Sequence, residues 1–201
     1  MIWFRERQRR KALKGAFDAV KAQAISLEGS HFPANKVFMN VALFFLLAER
    51  DISAVKLDAL THPDPWTRSV ALRTILLTIC EWDMDKVAGK KLRQAMEDAV
   101  IPDAVKTEVF GSLRDMRKAQ QRADKIMSPI RNTAVAHRDP NALLQSETIE
   151  TLDSKLILEL TGAFYDASHR FMDVFPRLLA AGSSLRGLLK QYSSTDPPNS
   201  D

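Results

Sequence analysis

From Val109 to Ala134 the sequence repeats an interval of four residues and then three, through Val109, Leu113, Met116, Gln120, Ala123, Met127, Ile130 and Ala134. At about 100° per residue, that interval keeps all eight side chains on one side of an α-helix, whereas a strand would send them to both faces. A stripe this long and narrow has to be buried against other helices. The alternation of three and four is the one used in antiparallel and two-stranded packing. Pro129 interrupts the backbone without breaking the period, so the spacing predicts a kink there, or a restart with Ser128 as cap.

The remaining apolar periods are helical too. Residues 1–27 carry Phe4, Ala12, Leu13, Ala16, Phe17, Val20, Ala24 and Leu27 as one stripe with arginines opposite. Trp3, Phe4 and the RERQRRK run also suit a helix lying on a membrane surface. The weak apolar face at residues 8–11 favours a packed terminal helix. Residues 35–50 contain VALFFLLA, apolar on nearly every side, as expected of a helix buried all round or shared with a second subunit. Residues 51–65 read as a turn-rich connection holding a short amphipathic piece at 54–60. Residues 66–87 carry two apolar lines: Trp66, Val70, Leu77, Cys80, Met84 and Val87, then Leu72, Ile75, Leu76, Ile79 and Trp82. A short helix at 89–100 closes at Ile101-Pro102, and Asp103 is placed to cap the long helix. The last helix spans 152–181, with a bend expected at Pro176. From 183 the period is lost, so residues 183–201 are expected to be a disordered tail. The fold expected is all-α: an antiparallel helical bundle of about five to six helices in one domain, residues 1–182.

Charge is unevenly placed. Residues 1–21 and residues 114–138 each carry seven basic and two acidic side chains, a net of +5 apiece. The whole chain is only +4, so everything else sums to −6. Two basic stretches on an otherwise acidic chain suit a polyanion such as RNA, although a basic solvated helix face gives the same count. The single cysteine, Cys80, excludes an internal disulfide and a cysteine-based zinc site. It lies on an apolar line and reads as inert core. The longest nearly apolar run is far shorter than the roughly 20 residues a membrane span needs, and a cytoplasmic protein with no membrane partner is expected.

The chemistry-bearing residues gather in PIRNTAVAHRDP, residues 129–140. Arg131 and Asn132 come first, then His137, Arg138 and Asp139. Six positions turn about 240° around an ideal helix, so Arg131 and His137 share a site only if the helix ends near Ala136 or another chain completes the pair. A histidine at a helix C-terminus keeps its proton more readily and is a usable general acid, but a capping histidine looks the same. Arg73 interrupts an apolar line at its regular position; it either snorkels at the edge of the core or serves a site. Glu81, Asp83 and Asp85 are the nearest carboxylates in sequence, with Glu81 and Asp85 on one face if the helix continues. His62, Asp64, Asp83, Asp85, His137 and Asp139 make two-ligand fragments with no completing ligands, so no metal and no cofactor are expected. Neither a serine elbow nor a glycine-rich phosphate loop occurs, which argues against triad hydrolases and nucleoside-triphosphate enzymes.

The run RNTAVAHRD resembles the signature of the HEPN superfamily, in which an arginine followed by a polar residue precedes a histidine after four to six positions. The match is Arg131, Asn132 and His137, and the trailing AHRD is most similar to abortive-infection and toxin-type members. The resemblance covers about nine residues. It implies a metal-independent endoribonuclease working as a homodimer, with an antitoxin or nucleotidyltransferase as a further partner. His137 would shuttle a proton, Arg131 would hold the scissile phosphate, and Asn132 would orient either group. Asp139, Arg138, Arg73 and Glu81 are supporting candidates, because many active relatives add an acidic residue from an earlier helix. A non-catalytic helical dimerisation module and a nucleic-acid-binding module are the competing expectations.

Overall fold

The start of the third helix follows from local chemistry. Asp64 accepts from the backbone N–H of Trp66 at 3.3 Å and of Thr67 at 2.8 Å, and Pro65 opens the helix where no N–H is needed. Such elements make up the computed structural model, which describes residues 2–82, 84–131 and 140–194. Among these residues the helices are α1 (Ile2–Ser26), α2 (Pro33–Thr61), α3 (Pro65–Glu81), α4 (Met84–Ala88), α5 (Lys90–Asp98), α6 (Asp103–Ile130), α7 (Ala142–Glu150), α8 (Ser154–Gly182) and α9 (Leu185–Ser194), with no strand. The protein is therefore all-α. No described helix is long and apolar enough to cross a membrane.

Several boundaries differ from those expected. Of the connection predicted at 51–65, residues 51–61 instead continue α2, where Ile52, Leu57 and Ala59 are buried, and only 62–64 connect it to α3. The predicted helix 66–87 breaks after Glu81, so α4 is separate and Glu81 and Asp85 do not share one helix. Residues 142–150, expected to be loop, form α7, capped by Asn141, which accepts from Leu143 N at 3.1 Å and Leu144 N at 3.2 Å. Part of the predicted tail, 185–194, is α9. Among the described residues nine helical segments thus stand where five to six were expected. Both helix-internal prolines, Pro129 and Pro176, lie inside continuous helices.

The residues group into two compact units, each drawn from separate stretches of chain. The first comprises residues 1–47, 83–113 and 168–201. Its interior is built on Phe45 stacked against Phe171, ring centres 4.1 Å apart and nearly parallel, with Phe175 beside them. Gln191, wholly buried, ties three helix ends together. Its side-chain oxygen accepts from Ala34 N at 3.1 Å and Asn35 N at 3.4 Å, and its nitrogen donates to Gly182 O at 3.2 Å. α9 comes so near the end of α5 that a Cβ on Gly187 would stand 2.8 Å from the Ala99 carbonyl oxygen. Only glycine fits there. α1 is seated shallowly: Leu13, Phe17, Val20, Ala24 and Leu27 are half-buried, while Phe4, Ala12 and Ala16 face water. In VALFFLLA, Val41, Ala42, Phe45 and Leu46 are buried and Leu47 is exposed.

The second unit comprises residues 48–82 and 114–167. Its core takes the inner line of α3 (Leu72, Ile75, Leu76, Ile79), the stripe Met116, Ala119, Ala123, Met127 and Ile130 of α6, and Ile157, Leu160 and Phe164 of α8. Trp82 meets Phe164 edge to face at 5.5 Å.

Candidate functional site

In the second unit, α3 ends because a side chain of α6 ends it. The last carbonyls of a helix have no partner within it. Gln120 Nε2 donates to the carbonyls of Ile79 and Cys80, each at 3.2 Å, and also to that of Trp82. Trp82 then turns out of the helix with φ −74° and ψ 90°. Gln120 occupies the apolar stripe of α6 as its single polar member. Its spacing marks it only as a member of the stripe; the signal for its role at the end of α3 is an amide in a row of apolar side chains.

Glu81, the final residue of α3, has its carboxylate Oε1 3.1 Å from Nη1 of Arg131, the residue directly after α6. Each of the two side chains is 51% exposed. At that exposure water screens the pair, and its contribution to stability is about 0–1 kcal/mol. The geometry constrains more than it stabilises. It holds one guanidinium nitrogen and leaves the other N–H donors of a five-donor group to meet a ligand. Of the described carboxylates near the end of the third helix, Glu81 is the one that lies at Arg131.

Cys80 lies beside this pair, half-buried. Burial pushes its thiol up to about 12; the carboxylates of Asp124 and Glu81 push the same way, and Arg131 opposes them. The thiol stays protonated at neutral pH and is no nucleophile. Arg73 is not at the pair: eight residues separate it from Glu81, about 12 Å along α3. Its Nε donates to Ser69 O at 3.3 Å and its guanidinium lies 5.7 Å from the Trp66 ring centre. Partial burial lowers its pKa. That placement is a half-buried arginine satisfied by a carbonyl and an aromatic face.

Asn132, His137, Arg138 and Asp139 lie outside the described residues, as does Asp83. Among the described residues no three histidine, cysteine or carboxylate groups gather as metal ligands. His62 serves its turn, accepting from Asp64 N at 3.2 Å. His31 is exposed and meets the Tyr192 ring edge-on, and His169 is exposed near Arg9. Compared with known proteins, the chain matches no family model, no curated protein and no solved structure.

Proposed function

We propose that the chain is a metal-independent endoribonuclease of the HEPN type, built on a HEPN-like antiparallel bundle and acting on RNA as a homodimer. The observation that carries this reading is the half-open Arg131–Glu81 pair, in which a carboxylate from an earlier helix meets the arginine of RNTAVAHRD. In this reading Arg131 turns its remaining N–H donors to the scissile phosphate and steadies the charge that builds on it. His137 takes the proton of the ribose 2′-hydroxyl as its oxygen attacks phosphorus. It returns that proton to the 5′-oxygen as the P–O5′ bond breaks. One product then ends in a 2′,3′-cyclic phosphate and the other in a 5′-hydroxyl. DNA, lacking the 2′-hydroxyl, is spared. A toxin or defence effector held by an antitoxin or nucleotidyltransferase is the biological setting this reading suggests.

The test is cleavage in EDTA. Wild type is expected to cut RNA, and His137→Ala and Arg131→Ala are each expected to abolish cutting while keeping the helical circular-dichroism spectrum. Wild-type protein that leaves total cellular and transfer RNA intact would remove the reading.

The same ion pair also favours a second reading. A non-catalytic interaction module would use Arg131–Glu81 as an internal tether and His137 as a helix cap. Toxicity on expression separates the two, since the module predicts equal growth with wild type and with His137→Ala.

A further inference from the structure

The outer line of α3 is left over from the core. Trp66, Val70, Arg73 and Leu77 fall within about 60° of one another around the helix, and Glu81 lies about 60° from Trp66. The inner line, Leu72, Ile75, Leu76 and Ile79, is buried, but along this outer one Trp66 and Val70 are exposed and Arg73 and Leu77 only half-buried. A half-open face thus runs the length of α3. It begins at an aromatic ring, passes a guanidinium and ends beside Arg131.

Beside its start, on the flank of Trp66 turned toward the inner line, is a cleft of about 270 Å³, lined by Trp66, Arg68, Leu72, Ile149, Glu150 and Leu152 among others. Its volume falls just below the roughly 300 Å³ at which ligand sites begin, room for one ring system. Trp66 is 53% exposed, with Arg73 5.7 Å from its ring centre. Arg68 is steadied by donating Nη1 to Pro63 O at 3.2 Å and also to His62 O. Glu150, exposed, is the carboxylate of the set and accepts from Ser146 Oγ at 2.7 Å. The ring stands between the cleft, which offers Arg68 and Glu150, and the outer line, which offers Arg73. Such groups take a nucleobase on a strand: the indole stacks, a cation on either side meets phosphate, and the carboxylate accepts from an exocyclic amine.

We infer that the outer face of α3 carries a single strand of RNA, with one unpaired, amine-bearing base (adenine, cytosine or guanine) stacked on Trp66 and the scissile linkage at Arg131. The inference rests on the ribonuclease reading and adds its substrate register. Trp66 and Glu81 are fifteen residues apart, about 22 Å along the helix. That is about six nucleotides at the helical rise of 3.4 Å per nucleotide, and fewer in an extended strand. RNA is therefore recognised single-stranded and at a distance from the bond that is cut.

The probes are 2′-O-methyl oligonucleotides ten nucleotides long, which a 2′-hydroxyl mechanism cannot cut, titrated onto the full chain. Trp66→Ala is expected to weaken binding about 5- to 150-fold, the equivalent of one lost base–aromatic stack, and Trp66→Phe to retain most of it. Abasic probes are expected to erase the difference between wild type and Trp66→Ala. Glu150→Gln is expected to narrow a preference for cytosine over uracil. Equal binding by wild type and Trp66→Ala, or no binding by either, overturns the inference. So does a loss of self-association in Trp66→Ala with unchanged RNA affinity, which assigns the face to a second copy of the chain. The two readings fail separately. Trp66-dependent binding by a protein that cuts no unmodified RNA keeps the subsite and removes the nuclease; cleavage with unchanged KM in Trp66→Ala keeps the nuclease and removes the subsite.

Discussion

Arg131 and Glu81 meet at 3.1 Å with half of each side chain in water, a setting where geometry matters more than energy. Glu81→Gln is accordingly expected to change unfolding free energy by under about 1 kcal/mol in urea titrations, with the difference shrinking as salt is raised. On the ribonuclease reading the same variant frees the guanidinium to wander and lowers kcat more than it raises KM. Cys80 titrates the other way from a reactive thiol. Its folded pKa is raised from 9.0 to about 12, so the folded chain holds a proton that the unfolded chain gives up. The stability that this proton supplies is present below pH 9.0 and lost as the pH rises toward 12. Cys80→Ala is expected to flatten the alkaline limb of the stability–pH curve relative to wild type, and iodoacetamide to leave wild-type Cys80 unmodified at pH 8. Arg131 and Glu81 could be singled out in the sequence because a cation and a nearby carboxylate are readable from residue type alone. Gln120, which ends α3 at Glu81, could not be, because its role depends on which carbonyls the fold brings to it.

At the scale of elements, Gln120 decides where α3 stops. Gln120→Leu keeps the volume and removes the donor to three carbonyls. It is expected to cost about 1–3 kcal/mol and to speed hydrogen exchange over the last turn of α3. Asn141→Ala, which uncaps α7, is expected to cost about 0.5–2 kcal/mol in the same titration. The long stripes of α6 and α8 were legible because each buries a regular apolar row. α7 was not, since Ile149 is its one buried residue. α9 inverts the usual pattern: it buries Gly187 and Gln191 and shows Leu185, Leu189 and Tyr192 to water, so hydrophobic periodicity points to the wrong side. The second half of α2 was hidden by Arg50, Asp51 and Ser53. Ser53 is in fact buried and supplies no turn.

Across the whole molecule, stability rests on apolar packing inside each unit and little on its exposed ion pairs. Phe171→Ala, which empties the place of a wholly buried ring stacked on Phe45, is expected to cost about 3–5 kcal/mol by urea or thermal unfolding. The helical class was readable from period alone, whereas the grouping into two units was not, because each is assembled from stretches far apart in the chain. Gln191 carries a consequence for how the molecule comes into being. The opening N–H groups of α2 wait for a carbonyl that the ribosome delivers 156 and 157 residues later. At about 5–20 residues per second that is a delay of roughly 8–30 s. The cap that closes the start of α2 is therefore among the last contacts of the first unit that synthesis allows.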